Sequence, residues 1–223
     1  MSQGWISKAT GSVAPAVPVV FFPGWGFSGA VLSLAHGGFP WIAPATPLDA
    51  ATALSDLASF LNEAKIERVR LVGWSLGAHL ALDFANCFPA RVASLALLAM
   101  RESWPAAEIA AIRAELHAAP QAFVQDFYRK CFLGYKAQYR RFLAEQQEEL
   151  LKNLDLALLE RGLNCLAVWQ LPEKPPSCPV LSWHGRRDLI APVTERAHIA
   201  GAESRVLDHA GHAIFLEQEF FCP

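Results

Sequence analysis

Hydrophobic positions along this chain follow two regimes. Short continuous apolar runs alternate with helical stripes up to residue 100 and again from residue 180, whereas only helical spacing occurs between 101 and 172. Val17 to Phe22 is an unbroken apolar run stopped by Pro23-Gly24, the pattern of a central strand buried on both faces in a parallel sheet. Residues 37–46 are rich in Gly and Pro and predict a loop with at most a short strand around Trp41-Ile42. Leu54, Leu57, Ala58 and Leu61 form one stripe of a helix over 49–62. Arg68 to Val72 reads as strand, and Leu76, Leu80, Phe84 and Phe88 open a helix that runs to about Cys87 and stops at Phe88-Pro89. Val92 to Met100 is a further apolar run, which completes a β-α-β alternation and hence a parallel sheet.

Past Arg101 four helices are expected, near 105–118, 121–132, 137–152 and 154–167, followed by a linker marked by Pro172, Pro175, Pro176 and Pro179. Strand character returns at Val180-Leu181-Ser182-Trp183; Pro192 then opens a helix to about Ile199, and a last short strand lies near 205–207. The fold class is therefore α/β: a mostly parallel sheet flanked by helices. Residues 1–100 and 173–223 make one core, and 101–172 is a helical insertion able to close over it as a cap.

Composition narrows the partners. With 223 residues, 53% of them hydrophobic, the chain can bury one substantial core. A formal net charge of −2 provides no general attraction to nucleic acid or to an anionic membrane, so neither is an expected partner. The five cysteines, Cys87, Cys131, Cys165, Cys178 and Cys222, are odd in number and lack C-x-x-C spacing, so they read as free thiols, without a disulfide framework or metal site. The apolar stretch before Pro23 is too short and proline-broken for a signal peptide or spanning helix, and cytoplasmic placement is expected.

The candidate chemistry sits between strand and helix. Gly73-Trp74-Ser75-Leu76-Gly77 is a G-x-S-x-G pentapeptide in a strand–turn–helix context, which a nucleophile elbow requires. Glycine at both flanks removes the Cβ atoms that would collide as the turn lifts Ser75 Oγ out of the sheet, and the Leu76 N–H then points at an oxyanion formed beside it. A serine hydroxyl needs an imidazole to take its proton and a carboxylate to orient that imidazole. Asp188 follows the strand ending at Trp183, on the same sheet edge as Ser75, and His212 follows the last strand in Ala-Gly-His-Ala. Asp208 and His209 are rivals for those roles, whereas His79 reads as a helix-surface or packing residue. The glycine-rich Pro23-Gly24-Trp25-Gly26-Phe27 lies at a strand's carboxyl end, where ligands sit in open α/β sheets.

Ser75 in G-W-S-L-G, Asp188 in H-G-R-R-D-L-I-A-P and His212 in A-G-H-A-I-F resemble the three catalytic blocks of the α/β-hydrolase superfamily. With P-G-W-G-F at 23–27 they look most like its pimeloyl-acyl carrier protein methyl ester carboxylesterases, of biotin synthesis. That resemblance implies a cytoplasmic serine esterase without cofactor or metal, with Ser75 as nucleophile, His212 as base and Asp188 orienting it. It further implies that the N–H groups of Trp25 and Leu76 hold the oxyanion, that Trp25 and Trp74 line the acyl channel, and that the ester arrives on an acidic acyl carrier protein. Arg129, Lys130, Lys136, Arg140 and Arg141 on the insertion are candidate docking residues, although Glu145, Glu148 and Glu149 offset their charge. Pro23 stands where this family usually has His, and Pro44 to Asp49 replaces its D-x-P-G-x-G-x-S segment, so the hydrogen bonding of these loops must differ. A general small-ester or thioester hydrolase, and a non-catalytic ligand-binding protein on the same fold, are the alternative readings.

Overall fold

A computed structural model describes residues 4–8, 17–35 and 40–217. Seven strands form one sheet: β1 (Trp5–Lys8), β2 (Val19–Phe22), β3 (Trp41–Pro44), β4 (Val69–Trp74), β5 (Val92–Leu98), β6 (Val180–Gly185) and β7 (Glu203–Leu207). Their order is β1-β3-β2-β4-β5-β6-β7, with β1 antiparallel to β3 and every other neighbouring pair parallel. β2 and, apart from the exposed Arg70 near its start, β4 are apolar and mostly buried, as befits interior parallel strands covered on both faces, whereas β7 at the edge carries exposed Glu203, Ser204 and Arg205. The expected loop over 37–46 lies partly outside the described residues; its described part carries β3.

Register fixes where the chemistry emerges. Phe22 pairs with Gly73, Trp74 with Leu98 and Leu98 with Trp183, so the loops after β2, β4 and β6 leave the sheet on one carboxyl edge. Helix α1 (Ala53–Glu63) buries Ala53, Leu57 and Leu61, and α2 (Leu76–Cys87) buries nine residues because it is covered on nearly all sides.

Between β5 and β6 the chain is helical, as its spacing predicts: α3 (Ala106–Ala118), α4 (Pro120–Cys131), α5 (Lys136–Phe142), α6 (Glu148–Lys152) and α7 (Leu156–Val168). α5 and α6 are joined by one π-helical stretch, Leu143–Gln147, so the single helix expected over 137–152 carries a local widening. These helices reach the sheet edge: Tyr128 Oη donates to Gly26 O at 2.7 Å and the Trp25 indole N–H donates to Leu159 O at 2.9 Å. The 23–27 loop, with Pro23, is thus held from above.

One expected helix does not form. After Pro192 only the short 3₁₀ turn Val193–Glu195 appears, because the backbone from there on pairs with the end of β5. Glu102 N donates to Glu195 O (3.0 Å), Ala197 N donates to Met100 O (2.9 Å), and Arg101 bridges antiparallel to Arg196. Tertiary partners take the groups that a helix would need for itself.

Candidate active site

Ser75 occupies the turn between β4 and α2 with φ 56° and ψ −119°, backbone that L-residues rarely adopt and that costs about 1–3 kcal/mol. The flanking glycines make the turn sterically possible. A Cβ on Gly73 would lie 2.3 Å from Gly77 O, and one on Gly77 would lie 2.2 Å from Phe22 O. Ser75 N donates to Leu98 O at 2.8 Å, and its hydroxyl caps no helix N–H. Gly24 lies directly against it: a Cβ there would be 3.4 Å from Ser75 Cβ. Among the described residues, neither Trp25 N nor Leu76 N donates a backbone hydrogen bond outside the regular elements, so two donors beside the serine are unspent.

Asp188 and His212 meet across two loops. His212 Nδ1 lies 2.8 Å from Asp188 Oδ2, and both side chains are essentially shielded from solvent. Asp188 Oδ1 accepts from Ile190 N and Ala191 N, each at 2.8 Å. Burial alone would push this carboxyl up, but the neighbouring imidazole and the Ala191 N–H outweigh it and hold the group below the ordinary carboxylate range. An ionised carboxylate that close to Nδ1 fixes the tautomer with Nδ1–H and leaves Nε2 as an acceptor. His212 is 1% exposed, yet its Nε2 has no hydrogen-bond partner. The Ser75 hydroxyl therefore is not hydrogen-bonded to it here; such bonds between nucleophile and base tighten as the substrate complex forms.

The rival groups are engaged elsewhere. Asp208, 80% exposed, accepts from Arg186 Nε at 2.6 Å, and His209, 56% exposed, pairs with Glu217 at 3.1 Å. His79 is a packing residue and not a surface one: it is 1% exposed, with Nδ1 3.0 Å from Ser75 O and Nε2 3.1 Å from Arg101 O.

Ser75 lines a cleft of about 420 Å³ under the inserted helices, walled by Trp25, Trp104, Ile112, Phe123, Phe127 and Leu163, with Glu108, Glu115 and Lys130 at its charged positions. Trp25 lines that wall, its ring edge-on to Phe127 at 5.1 Å. Trp74 does not. It is 0% exposed, packed on Phe27 and Phe215 with centroids 4.9 and 4.7 Å away, because the residue before the elbow is still strand and faces the packed side. Its indole N–H donates to His212 O at 2.8 Å, so it supports the histidine loop.

Of the five basic residues expected to dock a carrier protein, all are exposed, but three are paired: Arg129 and Lys130 with Asp126, and Arg141 with Glu145. Lys136 and Arg140 have no partner among the described residues. Cys87, Cys131, Cys165 and Cys178 are free thiols; Cys222 lies outside the described residues. Among the described residues no group of three or more His, Cys, Asp or Glu side chains is arranged to hold a metal, and no helix is long and apolar enough to cross a membrane.

Three supporting side chains carry too faint a signal in the sequence to be singled out. His184, 2% exposed, has Nε2 2.6 Å from Ala191 O and so braces the turn that holds Asp188; burial lowers its pKa, partly offset by that carbonyl. It opens the H-G-R-R-D block, the one hint available. Tyr135 Oη donates to Glu217 (2.6 Å) and accepts from Gly211 N (3.2 Å), pinning the His212 loop to the inserted helices. Arg101 is the third.

A mostly parallel sheet with a strained serine turn, and an aspartate–histidine pair emerging on the same edge, defines an α/β hydrolase. Residues 19–222 match the alpha/beta hydrolase family, and the chain belongs to it. It is 30% identical over 244 residues to a pimeloyl-acyl-carrier protein methyl ester esterase from Methylococcus capsulatus, covering 89% of this chain and 88% of that protein. It is also 30% identical over 242 residues to one from Aeromonas hydrophila, covering 89% of each. Among solved structures it resembles an esterase from Exiguobacterium antarcticum, with a TM-score of 0.78 at 18% identity, over 97% of this chain and 91% of that one.

Proposed function

We propose that this hydrolase is a serine carboxylesterase whose substrate is the methyl ester of a pimeloyl group carried on acyl carrier protein, the ester named for its relatives in Methylococcus capsulatus and Aeromonas hydrophila. The observation that carries the chemistry is the buried Asp188–His212 pair with Nε2 unspent, its loop tied by His212 O to the indole of Trp74, the neighbour of the strained Ser75 that lines an apolar cleft.

In this reading His212 Nε2 takes the Ser75 proton as Oγ attacks the ester carbonyl. The carbonyl electron pair moves onto oxygen, facing the N–H groups of Trp25 and Leu76; losing one such donor raises the barrier by about 3 kcal/mol. Collapse of the tetrahedral species expels methoxide, which leaves as methanol with the proton from His212. Water then gives a proton to His212 and its oxygen to the acyl carbon, which frees the acid and restores the Ser75 hydroxyl. Asp188 stays ionised and keeps the imidazole in one tautomer. Residues 1–100 and 173–223 act as the catalytic core and 101–172 as the cap that carries the acyl cleft.

Docking of the carrier is assigned to the basic face of the cap. Among the described residues Lys136 and Arg140 have no carboxylate partner; Arg129, Lys130 and Arg141 contribute less because carboxylates already hold them. The test is methanol release from the carrier-bound methyl ester. Wild-type protein is expected to turn it over and Ser75→Ala is not. Charge reversal at Lys136 and Arg140 is expected to slow the carrier-bound ester about tenfold at low salt while p-nitrophenyl butyrate is unaffected. Equal loss on both substrates would contradict docking there, and turnover by Ser75→Ala would contradict the mechanism.

A further inference from the structure

Besides Asp188, Arg101 is the buried ionised side chain among the described residues, at 3% exposure just past the end of β5. Its Nη1 and Nη2 donate to Glu108 Oε1 and Oε2 at 2.8 and 2.9 Å, a two-pronged fork. Nη2 also pairs with Glu195, and the guanidinium lies over the Trp104 ring at 4.1 Å. Its carbonyl faces His79 Nε2, whose other nitrogen faces the carbonyl of Ser75. Four segments thus converge on one residue: the end of β5, the serine helix α2, the loop after Asp188, and α3, the first inserted helix.

Two of Arg101's partners, Trp104 and Glu108, line the cleft together with Ser75, and Ile112 and Glu115 continue the same face of α3 at one and two turns further on. A buried ion pair is weak as a source of stability, since apolar packing of equal volume serves as well or better. What the fork supplies is direction: it fixes two planar groups at set angles.

We propose that Arg101 is a positioning residue for acyl specificity: it holds Trp104 and the Glu108–Ile112–Glu115 face of α3 as one wall of the acyl cleft, along which the chain lies. This rests on the esterase reading of the cleft. Glu195 ties the same wall to the loop that bears Asp188.

The test is steady-state kinetics on p-nitrophenyl acetate, butyrate and octanoate with Arg101→Met, Arg101→Lys and Glu108→Gln. For Arg101→Met, KM for octanoate rises about tenfold, while kcat falls less than about twofold and the acetate values move several-fold less, because a two-carbon chain does not span the wall. Glu108→Gln, at a side chain 40% exposed, keeps the fold and gives about a threefold rise in octanoate KM. Arg101→Lys recovers part of the loss, since a single ammonium cannot reproduce the fork. The same factor on all three esters, or a fall in kcat at constant KM in Glu108→Gln, overturns the role even if Arg101→Met fails to fold. An inactive parent enzyme would remove the esterase reading, and this one with it; an active parent with a flat chain-length response removes only this one.

Discussion

The ground behind Ser75 and the ground in front of it each hold a histidine, and both are 1% exposed. Behind, both ring nitrogens of His79 face carbonyl oxygens, the ring meets the edge of Trp169 at 4.7 Å, and burial lowers its pKa to about 4. In front, His212 has one nitrogen committed to Asp188 and the other to nothing. Burial therefore does not separate a working imidazole from a structural one. The group opposite the ring does: a carboxylate that holds Nδ1–H leaves His212 Nε2 free to take a proton, whereas both nitrogens of His79 look at backbone carbonyls, which only accept.

Replacing the two histidines sharpens that contrast most. His212→Ala is expected to lower kcat on the order of 10⁶-fold and Asp188→Asn on the order of 10⁴-fold, the second acting through the tautomer it no longer enforces. His79→Gln is expected to cost less than about threefold. Comparable losses at positions 79 and 212, measured on one p-nitrophenyl ester, would erase the distinction.

A smaller effect comes from the wall in front. Gly162 on α7 leaves room for the Trp25 indole, since a Cβ there would sit 2.5 Å from Trp25 Cδ1. Gly162→Ala is expected to push Trp25 and its backbone N–H out of line, lowering kcat about tenfold and stability by about 1–3 kcal/mol. Unchanged kcat with lowered Tm would mean that the Trp25 backbone plays no part in the reaction.

The ground behind shows itself in stability. His79 has a folded-state pKa near 4 against an ordinary 6.5, because the buried ring resists charging. Protonation then favours the unfolded chain: the contribution is complete above about pH 6.5 and is lost as pH falls from there through about 4, on the order of 3 kcal/mol in all. His79→Gln is expected to flatten the fall of Tm across that window, and an unchanged slope would contradict the assignment.

Particular residues show what could be read from the sequence. The elbow was legible because its strained turn tolerates only small neighbours at fixed offsets, and the strands because proline and glycine punctuate them. Trp74, expected in the cleft lining, packs on Phe27 and Phe215 instead, because a resemblance conveys residue type but not the face on which a strand residue stands. The helix expected after Pro192 does not form because its backbone groups pair far earlier in the chain: Ala197 N donates to Met100 O, and Glu195 O accepts from Glu102 N. Spacing alone leaves His209 as a rival to His212 and Asp208 to Asp188; the resemblance favours His212 and Asp188, and the differing partners of the four groups appear only on folding. Arg101 carries no local pattern at all; its meaning lies in contacts with Trp104, Glu108 and Glu195.

The most direct measurement is covalent labelling with an active-site fluorophosphonate, read by peptide mass spectrometry. The account predicts a single adduct on the Ser75 peptide, absent in Ser75→Ala and slowed at least 100-fold in His212→Ala. An adduct on another residue, or labelling of Ser75 at the same rate with and without the His212 imidazole, would contradict it.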